Sequence, residues 1–249
     1  NPFYHVYGAA TAVSGADPVY LSATPETRFL PDVTRLDSDT LQRTALYYFC
    51  SPANPQGAVA NFEELKIAIE TAREYDFVLV VDECYAEIYD SDPPPGALEA
   101  CRMLGDGFKN VLVFHSLSKR SSAPGLRSGF VAGDETLINA FRRLRNYVGP
   151  QMPMPAMAAS AALWDEETHV EENRCRYREK FDIAEELLGE RFEFYRPAGG
   201  FFVWLNVGDG EAATAHLWRE VALRVLPGGF IGRPDVTRTN PGHRYIRVA

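Results

Sequence analysis

The amino-acid sequence predicts an α/β protein with two domains, and three observations support this fold class. Short apolar runs alternate with helical patterns over residues 1–145, which is typical of a mixed, mostly parallel sheet with helices on both faces. From residue 146 onwards, helical patterns with a few strands predict a smaller α+β domain over residues 146–249. The composition is that of a globular protein, because 46% of the 249 residues are hydrophobic and 24% are charged.

Charge and composition exclude several classes of protein. The net charge of −9 argues against nucleic acid or an anionic membrane as the main partner. No stretch approaches the roughly 20 consecutive apolar residues that a membrane helix needs. We expect a cytoplasmic protein with reduced thiols and no metal site, because the five histidines are scattered and the four cysteines form no C-x-x-C pair. The cysteines are Cys50, Cys84, Cys101 and Cys175.

Apolar runs rich in valine, phenylalanine and tyrosine predict the strands of the larger domain. They are Ala45–Cys50, Phe77–Val81, Val111–Phe114 and Ser128–Ala132. A helix is predicted over Phe62–Tyr75, because apolar residues such as Leu65 and Ile69 recur there at helical spacing. Asn61, with Glu64 three residues later, forms the capping-box pattern of a helix start.

Helices and strands also alternate in the smaller domain. The predicted helices are Ala156–Trp164, Glu166–Leu188 and Glu211–Val225, and the predicted strands are Phe192–Tyr195, Phe201–Asn206 and Tyr245–Ala249. The chain starts at Asn1 rather than at methionine and ends inside the last apolar run. We therefore expect a piece of a longer protein, with the larger domain truncated at its N-terminal side and the smaller one at its C-terminal side.

Polar side chains follow the predicted strands of the larger domain. Ligands of open α/β sheets bind at the carboxyl ends of the strands, so these side chains could meet at one ligand. The segments are SPANPQG (51–57) after the first strand, DECY (82–85) after the second, SLSK (116–119) after the third, and Arg127 at the start of the fourth. Each segment alone is commonly a turn, a helix cap or a solvated loop. In this order they form a specific pattern.

This pattern resembles the fold-type I, class I/II aminotransferases, which use pyridoxal 5′-phosphate. The resemblance covers nearly the whole chain. It rests on the N-P-x-G segment that begins at Asn54, the D-x-x-Y strand end, the S-x-S-K segment with an arginine eight residues on, and an arginine in the last strand. One departure is Ser51, where the family commonly has asparagine. The resemblance implies a pyridoxal phosphate cofactor, an amino acid and a 2-oxo acid as substrates, and a homodimer.

The resemblance also implies which residues hold the cofactor ring. Lys119 matches the catalytic lysine that binds the cofactor covalently and moves the proton at the substrate Cα. Asp82 matches the catalytic carboxylate that keeps the pyridine nitrogen protonated. Tyr85, the third catalytic residue, and Asn54 match the hydrogen-bond donors to the ring oxygen. Tyr4 aligns with the aromatic residue that stacks on the ring, and a core or interface aromatic is the alternative.

Other residues match the groups that bind phosphate and substrate. Ser116, Ser118 and Arg127 correspond to the phosphate-binding residues, and a planar guanidinium suits a phosphate because it can bind two oxygens at once. Arg247, together with Asn54, corresponds to the group that binds the substrate α-carboxylate. An edge-strand arginine in solvent is the alternative for Arg247.

Three segments indicate which substrate the resemblance implies within this family. CSPANPQG (50–57), SLSKRSSAPGLRSGFVAGD (116–134) and TNPGHRYIRVA (239–249) look most like bacterial succinyldiaminopimelate aminotransferases of lysine biosynthesis. The implied reaction transfers an amino group between N-succinyl-diaminopimelate and 2-oxoglutarate. The alternatives are an aspartate or broad-specificity class I aminotransferase and, from another class, the pyridoxal phosphate-sensing domain of a transcription factor.

Overall fold

The structure, a computed structural model, describes residues 1–149, 151–235 and 237–249. Its strands are β1 (Leu46–Cys50), β2 (Val78–Asp82), β3 (Val111–Ser116), β4 (Gly129–Gly133), β5 (Val203–Asn206), β6 (Leu226–Pro227) and β7 (Tyr245–Val248). Its α-helices are α1 (Val6–Val13), α2 (Ser38–Arg43), α3 (Phe62–Glu74), α4 (Ala97–Leu104), α5 (Leu117–Arg120), α6 (Glu135–Arg145), α7 (Met154–Asp165), α8 (Thr168–Leu188), α9 (Gly210–Val221) and α10 (Gly228–Ile231). Among these residues, no helix combines the length and apolar character that crossing a bilayer requires.

The chain divides into two compact units. The sheet unit consists of Leu36–Pro52 and Ala60–Tyr177. The terminal unit consists of Asn1–Arg35, Ala53–Val59 and Arg178–Ala249. This grouping by contacts differs from the predicted domains 1–145 and 146–249, and that domain boundary stays a prediction.

The sheet unit contains a four-stranded sheet in the order β1-β2-β3-β4. The first three strands are parallel and β4 is antiparallel to β3, which confirms the predicted mixed, mostly parallel sheet. The register pairs Cys50 with Asp82 and Asp82 with Phe114. The carboxyl ends of the three parallel strands therefore lie side by side.

Helix α3 shows how local sequence determines an element of this unit. Its capping box is present: the Asn61 side chain accepts from the Glu64 N–H, and the Glu64 carboxylate accepts from the Asn61 N–H. Leu65 and Ile69 are buried on one face, and the helix packs against α4 and β2. The predicted helix and its start are confirmed.

The terminal unit contains an antiparallel sheet in the order β5-β7-β6. Trp204 and Tyr245 form the centre of its core, with their rings parallel and their centroids 4.9 Å apart. Phe29 and Tyr195, which are distant in the sequence, stack on each other beside this pair at 5.1 Å. The strands predicted near residues 201–206 and 245–249 are confirmed by β5 and β7.

The strand predicted at Phe192–Tyr195 is wrong. A 3₁₀-helix occupies Arg191–Glu193 instead. Phe192 and Glu193 have φ values of 60° and 53°, in the left-handed region. Backbone in that region cannot continue an extended ladder, so no strand forms across Phe192 and Glu193.

Two isoleucines of α3 provide a test of the core. Ile69 is fully buried, whereas Ile67 is 40% exposed on the same helix. Ile69→Ala should lower the free energy of unfolding by about 2–5 kcal/mol, because it leaves a cavity as well as removing apolar contacts. Ile67→Ala should change it by about 0.5 kcal/mol or less. Urea unfolding followed by circular dichroism measures both, and equal losses would contradict the placement of α3.

Candidate active site

A hydrogen-bonded turn follows β2 and carries two of the predicted site residues. Asp82 is the last residue of β2, and its Oδ1 accepts from the Cys84 N–H at 3.1 Å. Tyr85 is buried, and its carbonyl accepts from the Ile88 N–H at 2.9 Å. The turn thus holds a carboxylate and a phenol three residues apart at the end of the strand.

The predicted catalytic lysine lies on the short helix that follows β3. Ser116 ends the strand and caps α5, since its Oγ accepts from the Ser118 N–H at 3.1 Å. The Lys119 ammonium lies 5.7 Å from the centre of the Tyr85 ring, within the range of a cation–π interaction. The structure therefore brings Lys119 and Tyr85 together from two different strand ends.

The three residues predicted to bind phosphate form a cluster. Ser116 Oγ and Ser118 Oγ are 2.9 Å apart, and Arg127 Nη1 donates to Ser118 Oγ at 3.4 Å. Arg127 is exposed, and its guanidinium also donates to the Pro124 carbonyl at 2.8 Å. Two hydroxyls beside an exposed guanidinium form a group of donors that suits an anion.

Arg120 anchors the turn that carries Lys119, and sequence reasoning did not identify it. Its side chain is buried, and Nη1 donates to the Leu163 carbonyl near the C-terminus of α7 at 2.7 Å. Nη2 donates to the Glu167 carboxylate, and the guanidinium lies 5.2 Å from the centre of the Trp164 ring. The only available signal was a second cation directly after Lys119, because the partners Leu163 and Glu167 lie more than 40 residues away.

In the terminal unit, a tight turn carries Asn54. The Gly57 N–H donates to the Ala53 carbonyl at 2.7 Å, and Gly57 has a φ of +70°. A Cβ at Gly57 would lie 2.4 Å from Pro197 Cβ, so only glycine fits this turn. The N-P-x-G segment therefore has a structural reason for its glycine, and Asn54 is buried three residues before it.

Arg247 contacts Asn54 within the terminal unit. Its Nη1 donates to Asn54 Oδ1 at 3.0 Å, and its guanidinium lies 4.2 Å from the centre of the Phe202 ring. Arg247 lies on β7, the central strand of its sheet, and is half-buried. The alternative of an edge-strand arginine in solvent is therefore wrong.

Tyr4 lies in the terminal unit, just before α1. The residue is 41% exposed, and its ring makes edge contacts with His5 at 4.9 Å and with Tyr7 at 5.8 Å. Such exposure does not fit a core aromatic. Its predicted role of stacking on a cofactor ring stays a prediction.

Cys84 has an unusual environment between Asp82 and β3. Burial raises the pKa of the Cys84 thiol, and the neighbouring Asp82 carboxylate raises it further through its charge and a hydrogen bond. The four cysteines are all free thiols. Within the described parts of the chain, no group of three or more histidine, cysteine, aspartate or glutamate side chains could hold a metal ion.

The side chains of the sheet unit fit the predicted cofactor. Ser118 and Arg127 offer donors to a phosphate, Asp82 offers a carboxylate to a protonated ring nitrogen, and Lys119 offers an amine beside Tyr85. Each functional group of pyridoxal phosphate thus has a chemically matched residue in this unit.

Comparisons with known proteins agree with this chemistry. The sequence model of the family described as aminotransferase class I and II matches residues 1–244. The LL-diaminopimelate aminotransferase of Moorella thermoacetica is 32% identical over 255 residues, which cover all of this chain and 63% of that protein. The 4-dedimethylamino-4-oxo-anhydrotetracycline transaminase of Streptomyces rimosus is 34% identical over 200 residues, which cover 80% of this chain and 54% of that protein.

Solved structures show the same similarity. An aminotransferase from Neisseria meningitidis superposes with a TM-score of 0.94 at 41% identity, and the aminotransferase AspB from Helicobacter pylori with 0.92 at 38% identity. Both matches cover all of this chain and 64% of the other one. The chain therefore spans less than two thirds of the length of each of these four proteins.

The environment of Cys84 predicts low reactivity. Only the thiolate is alkylated, and a raised pKa keeps this thiol protonated as the pH rises through about 8.5, where an ordinary cysteine ionises. Iodoacetamide should therefore modify the exposed Cys175 at pH 8–9 while Cys84 stays largely unmodified, and both should react in urea. Peptide mass spectrometry over time measures this. Equal rates in the folded protein would contradict the placement of Cys84.

Proposed function

Because the chain belongs to the class I and II aminotransferase family, we propose that it provides the cofactor- and substrate-binding residues of a pyridoxal 5′-phosphate-dependent aminotransferase. Members of this family use that cofactor to exchange an amino group between an amino acid and a 2-oxo acid. The observation that carries the proposal is the position of the Lys119 ammonium over the Tyr85 ring. Similarity to named aminotransferases over the whole chain favours an enzyme over the sensing domain of a transcription factor.

Three residues of the sheet unit serve the reacting end of the cofactor. When bound, pyridoxal phosphate supplies an electron sink for the negative charge that forms at the substrate Cα. Lys119 Nζ would hold the cofactor and would carry the proton to and from that Cα. The Asp82 carboxylate would keep the ring nitrogen protonated, and the Tyr85 hydroxyl would offer a hydrogen bond to the ring oxygen.

The hydroxyls and the guanidinium of the phosphate-binding cluster fix the other end of the cofactor. Ser116, Ser118 and Arg127 provide donors of the kind that bind phosphate oxygens. Arg127 is already held by the Pro124 carbonyl, so its guanidinium is oriented before an anion binds. This cluster would hold the cofactor independently of Lys119.

Arg247 and Asn54 serve the substrate. A guanidinium binds a carboxylate with two parallel hydrogen bonds, which suits the α-carboxylate shared by amino acids and 2-oxo acids. Asn54 Oδ1 accepts from Arg247, so the amide group keeps its N–H donors for the ring oxygen or the substrate. The proposed complete enzyme is a homodimer, as is typical of the family.

For the substrate, we propose an amino donor of the diaminopimelate type, specifically N-succinyl-diaminopimelate, with 2-oxoglutarate as the acceptor. Relatives named LL-diaminopimelate aminotransferase support the diaminopimelate skeleton. The test compares N-succinyl-diaminopimelate, LL-diaminopimelate and aspartate as donors by the glutamate they produce. The proposal expects the highest kcat/KM with the succinylated donor. A higher kcat/KM with LL-diaminopimelate or with aspartate would contradict the proposed donor and would assign that compound as the donor instead.

Lys119→Ala tests the covalent role of the amine. After incubation with pyridoxal phosphate and borohydride reduction, the wild-type protein should carry a covalent cofactor label, and Lys119→Ala should lose this label and its turnover. Lys109→Ala is the matched control, because Lys109 is an exposed lysine of the same unit. If Lys119→Ala keeps both the covalent label and turnover, another lysine is the attachment point and the site is misassigned.

Arg247→Ala tests the substrate role. Removing one partner of a buried charge-assisted pair typically costs about 2–5 kcal/mol. The value of kcat/KM should therefore fall by roughly 30- to 4,000-fold, since about 1.4 kcal/mol corresponds to tenfold. Arg247→Lys should restore only part of the loss, because an ammonium lacks the planar fork.

The control for this variant is Arg244→Ala, which removes an exposed arginine three residues earlier. It should leave kcat/KM within about twofold of wild type, a change expected of surface substitutions. Pyridoxal phosphate affinity should stay unchanged in both variants, as measured by absorbance titration. A larger loss of kcat/KM in Arg244→Ala than in Arg247→Ala would move the carboxylate site to Arg244.

A further inference from the structure

Glu83 is a buried charged residue to which the proposed function gives no role. It follows Asp82 directly and is only 7% exposed. Burying a carboxylate is costly unless its oxygens are hydrogen-bonded. Its partners therefore indicate what the residue does.

One carboxylate oxygen of Glu83 caps a helix. Oε1 accepts from the Ala97 N–H, the first of α4, at 2.7 Å. The N-cap residue of α4 is Gly96, which has no side chain to fill this role. The partly positive N-terminus of the helix also stabilises a negative charge. Glu83 is thus tied to α4 from 14 residues away in the sequence.

The other oxygen of Glu83 contacts β3. Oε2 lies 3.0 Å from Nε2 of His115, the residue just before Ser116. The His115 ring is itself held, because it stacks on Phe130 of β4 with centroids 5.0 Å apart. The Glu83 N–H also donates to the Phe114 carbonyl at 3.0 Å. Backbone and side chain of Glu83 are therefore both fixed to β3.

These contacts act on the segment that carries two proposed catalytic residues. Asp82 directly precedes Glu83 and Tyr85 follows it by two residues, and the chain beyond Glu83 forms a turn. Local bonds form this turn, among them the Ala86 N–H to the Glu83 carbonyl at 2.9 Å. Anchors outside the turn are needed to fix its orientation, and the Glu83 carboxylate supplies two of them.

We propose that Glu83 is a positioning residue: its bonds to the Ala97 N–H and to His115 hold the turn in the geometry that aims Asp82 and Tyr85 at the cofactor. This proposal rests on the proposed function. A purely structural role would affect only folding stability. A positioning role also changes cofactor affinity and turnover in protein that is fully folded.

The experiment uses Glu83→Ala, Glu83→Gln and a matched control. Glu83→Ala removes both bonds and should weaken pyridoxal phosphate binding and lower kcat by about 10- to 100-fold each, the size expected when reacting groups are misplaced by about 1 Å. The KM of the amino donor should change by less than about twofold, because the carboxylate-binding residues are untouched. Glu83→Gln keeps an oxygen for the Ala97 N–H and should recover part of both losses.

The matched control is Asp134→Ala, in the same unit. The Asp134 carboxylate accepts from the Asn110 N–H at 2.8 Å and from the Thr136 N–H at the start of α6 at 2.8 Å, so this variant also removes a carboxylate that joins two segments. It should lower the thermal midpoint while pyridoxal phosphate affinity and kcat stay at wild-type values. Affinity is measured by titrating cofactor-free protein, and folding by circular dichroism of the same samples.

The outcomes separate the two proposals. If folded Glu83→Ala binds cofactor and turns over within twofold of wild type, the positioning role is overturned and the proposed function stands. If the unaltered protein does not change the absorbance of added pyridoxal phosphate, the positioning role and the proposed function are both overturned. Should Glu83→Ala fail to fold, His115→Phe decides, because it keeps a ring against Phe130 and removes only the bond to Glu83. An unchanged cofactor affinity in His115→Phe would also overturn the proposal.

Discussion

The parallel pairing of β1, β2 and β3 is the constraint on which the candidate site depends. Parallel strands end at the same edge of a sheet, and the register places Cys50, Asp82 and Phe114 in one row. Residues that are more than 30 apart in the sequence thereby become neighbours. The site residues of the sheet unit lie within this row or two to five residues beyond it, apart from Arg127, which returns to Ser118 just before the antiparallel strand β4.

A second feature repeats at two of these strand ends. Asp82 and Lys119 carry the proposed chemistry, and each is followed directly by a buried residue of the same charge, Glu83 and Arg120. The buried residue is bonded to helix ends: Glu83 to the start of α4, and Arg120 to the Leu163 carbonyl near the end of α7. Each functional side chain is thus on a segment whose orientation is fixed by its neighbour.

Signals between residues close in the sequence were sufficient to predict much of the fold. The capping box at Asn61 and the apolar runs of the parallel strands depend on residues close in sequence, and the structure confirms them. The strand predicted at Phe192–Tyr195 is wrong because the residue types there do not reveal the left-handed backbone of Phe192 and Glu193. The anchoring contacts of Arg120 could not be predicted either, because Leu163 and Glu167 approach it only once the chain is folded.

The most direct test of the account is the identity of the lysine that bonds to the cofactor. The chain has four lysines, at positions 66, 109, 119 and 180. The protein is incubated with pyridoxal phosphate, reduced with borohydride and digested, and the labelled peptide is identified by mass spectrometry. The account predicts label on Lys119 alone. Label on Lys66, Lys109 or Lys180 with Lys119 unmodified would contradict it.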